Sequence, residues 1–272
     1  MRTFNAITTA IFDVILGLAG HAYPWVDLLF WPILAGVIAL LVYKAVSNQA
    51  GIQAAKNGIA VHLLEVVLYP NDLKGVLVST AKAMGRNAQY IGYNIAPMVV
   101  MFVPMTIILV QLVSQYAYAP VVPGSTPLLV VKLDPNTDVR PRDVRLELPT
   151  GVSLDAPPVR TPDGEIAWRL KAETPGDYTL KIHAGNTTEE KSLAVGGPPR
   201  KVSVMRSKSL EALLYPAEAV PESDSPIYSI RLPISSQEMP FLPDGEEGVL
   251  GWFFGASLLA GFVLKDKFGV TL

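Results

Sequence analysis

The chain has 272 residues, a formal net charge of −2, 50% hydrophobic and 17% charged residues, and no cysteine. That composition is too apolar for an ordinary soluble domain, and the charge gives no global basic field for nucleic acid. Without cysteine there is no disulfide, no thiolate metal site and no cysteine nucleophile.

Residues 1–22 admit two readings. Arg2, a short apolar run and Gly20-His21-Ala22 resemble a cleavable signal peptide. Phe4, Ile7, Ile11, Ile15 and Leu18 instead recur at helical spacing, with Asn5, Thr9 and Asp13 on the other face, as in an interfacial amphipathic helix. Asp13 interrupts the apolar run and favours the helix.

Three apolar runs follow. LLFWPILAGVIALLVY lies between Asp27 and Lys44, the stretch between Arg86 and Lys132 carries no charge, and GVLGWFFGASLLAGFVL lies between Glu247 and Lys265. A membrane helix needs roughly 20 mostly apolar residues. Flanking aromatic residues (Tyr23, Trp25, Tyr43, Tyr116, Tyr118, Trp252) suit the interface. We expect spans at 25–46, 95–118 and 247–265, the second carrying Pro97 and Pro104, which a membrane helix tolerates.

Between the first two spans, Ile52, Ile59, Leu63 and Val67 form one helical stripe, and Leu73, Leu77, Met84 and Ile91 a second. Tyr-Pro-Asn-Asp separates them, with Asn71 expected to cap the second helix. Residues 47–93 therefore read as a helical hairpin. Lys44, Lys56, Lys74, Lys82 and Arg86 outnumber the acids there, so the positive-inside rule places the hairpin and the tail at 266–272 in the cytoplasm and the N-terminus outside.

Past the second span, short alternating runs are separated by turn signals such as Pro162-Asp163-Gly164 and Pro175-Gly176-Asp177. They predict an immunoglobulin-like β-sandwich over 124–206, outside the membrane, with Trp168 and Tyr178 in its core. Residues 207–246, rich in proline, read as a linker to the third span. The fold class expected is thus α+β: three transmembrane helices, a cytoplasmic helical hairpin and an external sandwich.

No catalytic constellation is present. His21, His62 and His183 fall in different regions, and the His62/Glu65 pair, one helical turn apart, reads as a solvated helix face. No nucleophile elbow, phosphate loop or dinucleotide fingerprint occurs. We expect no enzyme activity, metal, cofactor, small-molecule substrate or nucleic-acid partner; Asn186-Thr187-Thr188 is a sequon by pattern only.

The layout of outside N-terminus, interfacial helix, first span, cytoplasmic hairpin and a second span opening NIAPMVVMFVPM (94–105) resembles the Oxa/YidC membrane-insertase superfamily. It is most similar to the three-helix members, the archaeal YidC-like proteins and the insertase subunit of the ER membrane complex. The resemblance covers 1–118 and the last span. It implies a lipid bilayer and membrane-protein clients as partners and a polar groove facing the cytoplasm; the membrane expected is a prokaryotic cytoplasmic one. Bacterial members keep an arginine in the first span; here Lys44 is the basic substitute, with Asn94 and Gln111 as the other groove candidates. Thr106 and Ser257 read as helix-packing residues. The alternative is an accessory subunit of a membrane complex, binding a partner through its β-sandwich.

Overall fold

A computed structural model describes residues 2–16, 24–239 and 241–270. His21 and the signal-like Gly20-His21-Ala22 lie outside them. The protein is mixed α+β and divides into two compact units, residues 1–28 with 109–252 and residues 29–108 with 253–272.

Among the described residues five α-helices run in chain order: α1 (Arg2–Leu16), α2 (Pro24–Val46), α3 (Gln49–Leu68), α4 (Leu73–Tyr116) and α5 (Glu246–Leu264). Stretches of α2, α4 and α5 are long and apolar enough to cross a membrane. Asn48 caps α3, its Oδ1 accepting from Gly51 N–H at 2.9 Å. Asp72, not Asn71, caps α4, accepting from Gly75 N–H at 3.0 Å, because the turn at Pro70-Asn71 delays the helix by one residue.

The second hairpin arm and the second span, expected as separate helices, are one helix of 44 residues. Nothing between Leu73 and Ala96 breaks it, and Pro97 lies inside it. At ~1.5 Å per residue such a helix is ~66 Å long, about twice a ~30 Å hydrocarbon core.

The unit containing α3 is built on close helix contact. A Cβ on Gly36 of α2 would stand 2.5 Å from the Ser257 carbonyl oxygen of α5. Leu40, Tyr43, Ile52 and Val270 form a buried cluster, with Tyr90, Met101, Leu264 and Phe268 packed against it. The C-terminal tail thus folds back into the core of this unit.

The described residues of the other unit hold nine strands: β1 (Leu128–Leu133), β2 (Val144–Glu147), β3 (Val152–Leu154), β4 (Val159–Arg160), β5 (Glu165–Ala172), β6 (Gly176–Ala184), β7 (Thr187–Val195), β8 (Met205–Ser207) and β9 (Ile227–Arg231). One sheet has the order β3-β5-β1-β9-β8 with β4 beside β5, the other β2-β6-β7, and all named pairs are antiparallel. The sheets share one core in which Leu129, Val131, Ile166, Leu180, Ile182 and Ile230 are fully buried. Trp168 is buried in it and Tyr178 packs against it.

The reading of 207–246 as a linker is corrected here. β9 lies inside that range and occupies the interior of the larger sheet, between β1 and β8. Its five residues, IYSIR, sit between Pro226 and Pro233 in a proline-rich stretch, but Ile227, Ser229 and Ile230 are buried. A one-turn 3-10 helix, Leu210–Leu213, also falls there. The two ends of the domain are tied together: Ala119 N–H donates to Ser235 O at 3.0 Å and Gln237 N–H to Ala117 O at 2.9 Å.

Candidate functional site

Asn94 stands one turn beyond Tyr90 on α4. Its Nδ2 donates to the Tyr90 carbonyl at 2.7 Å, while its Oδ1 accepts from the Tyr43 hydroxyl of α2. A polar group inside an apolar run is costly unless paired, and both ends of this amide are paired. Tyr43 was not legible as its partner, since the two lie 51 positions apart.

Beside Tyr43 lies a hollow of about 240 Å³ formed by α2, α4 and α5. Met101, Met105, Phe254, Phe262 and Gly36 line it, and Ser257 and the Tyr43 side chain bring polar atoms to its wall. Its walls are otherwise apolar. Methionine is unbranched and polarizable, so such a lining accommodates apolar surfaces of different shape.

The other two groove candidates lie elsewhere. Lys44 Nζ donates to the Phe268 carbonyl at 2.7 Å, fastening the tail to the end of α2. That cation serves the C-terminal end of the helix, where positive charge is favoured. Gln111 belongs to the β-containing unit, is buried, and donates from Nε2 to Thr9 Oγ1 of α1 at 3.3 Å. Of the three, only Asn94 is linked to the hollow, through Tyr43.

His62 and Glu65 close a different contact. Glu65 Oε2 meets His62 Nδ1 at 3.0 Å and accepts from Ser79 Oγ of α4 at 2.8 Å, so the pair fastens the hairpin arms. The His62 hydrogen bond, followed by that of Ser79, holds the Glu65 carboxyl below its ordinary range. Beside it His62, Lys82, Arg86 and Gln89 line a polar cleft of about 450 Å³. No cluster of three metal-ligating residues exists among the described residues.

In the β-containing unit, β7 changes character along its buried face. Val195 and Leu193 face the core, but Lys191 and Glu189 continue the same alternation and are also buried. Lys191 Nζ contacts Glu218 Oε2 and the Ser203 carbonyl, both at 2.5 Å, and Arg206 Nη2 meets Glu189 Oε2 at 2.9 Å. Glu218 Oε1 accepts from Ser192 N–H at 2.6 Å and Glu189 Oε1 from Glu222 N–H at 2.9 Å. Two buried ion pairs thus staple the 218–222 segment to β7 and β8. Burial pushes the Lys191 amine below its ordinary value. Burial alone would raise the Glu218 carboxyl, but the Lys191 charge and several hydrogen bonds together bring it below the usual carboxylate range.

Comparison with protein-family models, with curated proteins and with solved structures found no match to this chain.

Proposed function

We propose that this chain is a non-enzymatic integral membrane protein of Oxa/YidC type that assists insertion or folding of other membrane proteins. The observation that carries the reading is the methionine-lined hollow among three apolar helices, with the Tyr43–Asn94 pair at its edge. An apolar client segment could lie against Met101 and Met105 while a polar flank exchanges hydrogen bonds with Tyr43 and Asn94. No cofactor or nucleotide is needed, because the step is transfer between solvents rather than bond chemistry. Membrane integration is supported by the outward faces of the helices: Phe102 and Leu259 are 70% and 66% exposed, which lipid would cover.

The β domain is read as an external immunoglobulin-like sandwich. β2-β6-β7 match the three-strand sheet of that fold, and β1-β5 with β3 and β4 match the inner strands of its partner. β9 fills the first-strand place beside β1, and Val121 bridges Val195 of β7 in parallel. Tyr178, near the start of β6, donates its hydroxyl back to the Thr174 carbonyl at 2.9 Å, as the tyrosine corner of such domains does. A second reading, an accessory subunit, is favoured by exposed Leu154 and Val159 at the edge of the larger sheet, which a partner could cover.

Complementation of a strain depleted of its Oxa-type insertase decides between them. The unmutated chain should restore growth, and Asn94→Leu with Tyr43→Phe should abolish rescue while the protein remains membrane-integrated. Failure of the unmutated chain to rescue, with loss of a co-purifying complex on deletion of the β domain, would favour the accessory subunit. Orientation is checked with single cysteines in this cysteine-free chain. An impermeant thiol reagent on intact cells should label one at Asp163 and spare one at Gln53.

A further inference from the structure

Three apolar groups in the β-containing unit are exposed, although each is tied to the end of an apolar helix. The first is on α1. Ile7, Ile11 and Val14, spaced four and three apart, are exposed, while Thr9 and Asp13 bond to the rest of the unit. Thr9 Oγ1 donates to the Pro216 carbonyl at 3.1 Å and accepts from Gln111 of α4, and Asp13 pairs with Lys201 Nζ at 2.7 Å. This helix is held to the protein by Thr9, Asp13 and the buried Leu16, and leaves Ile7, Ile11 and Val14 uncovered.

The second group is the 3-10 helix Leu210–Leu213 with Leu214. Ala212 is buried, whereas Leu210, Leu213 and Leu214 are exposed, an inversion that burial against the β domain would not produce. Tyr215, the next residue, reaches Glu246 Oε1 at 3.4 Å, and Glu246 is the first residue of α5. The third group is Phe241, 99% exposed and held at φ +66, a left-handed conformation that bulky residues rarely adopt. Met239 N–H donating to Asp244 Oδ1 at 3.0 Å and Gly245 N–H donating to Gln237 O at 2.9 Å close the loop that presents it. Four residues separate Phe241 from Glu246, a reach of at most ~18 Å.

We infer that Ile7, Ile11, Val14, Leu210, Leu213, Leu214 and Phe241 form a collar that docks the β domain onto the outer surface of the bilayer. The inference rests on the proposed membrane reading. Its occupant is lipid, at the boundary of headgroups and acyl chains, because every group lies within one hydrogen bond or a few residues of a span end. Each exposed side chain there exchanges water for hydrocarbon, as in interfacial helices. The collar holds the domain at the surface on which the three helices emerge.

Nitroxide labels on single cysteines test this in the full chain, purified and reconstituted in phosphatidylcholine–phosphatidylglycerol vesicles, with access to oxygen and to a nickel chelate measured. Ile11→Cys, Leu213→Cys and Phe241→Cys should show a severalfold loss of nickel access relative to Val159→Cys, an exposed apolar site on β4, with oxygen access kept. Leu259→Cys on α5 reports the membrane reading separately. If Leu259 is lipid-protected but the three collar sites are as open to nickel as Val159, the collar is wrong and the spans stand. Protection of the collar sites from both reagents would show a protein contact there and overturn the lipid assignment. Nickel access at Leu259 would overturn the membrane reading and the collar with it.

Discussion

Glu218 carries more than its exposed neighbours because its partner, Lys191, has no contact with water. Glu218→Gln leaves the Lys191 ammonium buried without a counter-ion, and breaking a buried pair costs ~3–5 kcal/mol. We expect that loss in urea unfolding of the β domain, with much of it recovered by Lys191→Met combined with Glu218→Leu. The pH dependence has a definite sign. The folded Glu218 carboxyl lies below its ordinary 4.5, so its contribution is present above that value and is lost as pH falls through the lower folded one. The buried Lys191 amine lies below 10.5, so between its folded value and 10.5 the unfolded chain binds more protons, and stability rises with pH there. Acid is the destabilising direction for both groups, and Glu218→Gln should flatten the acid limb. The alternation along EKSLAV is that of a half-buried strand and suits Leu193 and Val195, but it gave Lys191 and Glu189 no mark of burial. Their partners, Glu218 and Arg206, approach from 27 and 17 residues away, which no local pattern encodes. Asn94 was legible because a lone amide in an apolar run is costly; Lys44 and Gln111 were legible as polar residues but not in what they bind.

At the scale of elements, periodicity and charge spacing marked all five helices, since each carries an uninterrupted apolar run or stripe longer than ten residues. What they could not mark was continuity. A change from amphipathic to wholly apolar at Asn94 looks like a boundary, yet a backbone with no breaker before Pro97 stays helical through it. β9 was missed for the opposite reason: five residues between prolines are too short for a pattern, and its place is set by pairing with β1 about a hundred residues earlier. Contact between helices is likewise silent in sequence until a glycine is placed. A side chain on Gly36 would collide with the backbone of α5 rather than with a movable side chain. Gly36→Val should therefore force α2 and α5 apart and cost ~1–3 kcal/mol, read as a lowered melting temperature in detergent. Gly255 on α5, where a Cβ meets nothing within 4 Å, is the control, and Gly255→Ala should not lower the melting temperature.

On the scale of the whole molecule, the β domain is self-contained only if both of its chain ends are included. A fragment covering 117–237 holds all nine strands, Val121 and the paired ends at Ala117/Gln237 and Ala119/Ser235. It should fold in solution with a cooperative urea transition. The shorter 124–206 fragment lacks β9, so Val130, Val131 and Lys132 of β1 lose their partners on one side and the larger sheet splits from β8. That fragment should give the circular dichroism of an unfolded chain; a cooperative transition from it would refute the assigned sheet order.

The late arrival of β9 also sets a schedule during synthesis. Strands β1 to β7 emerge from the ribosome with an open slot beside β1, and the larger sheet stays incomplete until residue 231 is made. Only fourteen residues, 232–245, then separate that closing strand from α5. The domain therefore cannot close until synthesis has come within fourteen residues of the last apolar segment. On the proposed external placement of this domain, a closed sheet could not slide back through a translocation channel, so its closure would act as a ratchet on the orientation of the chain.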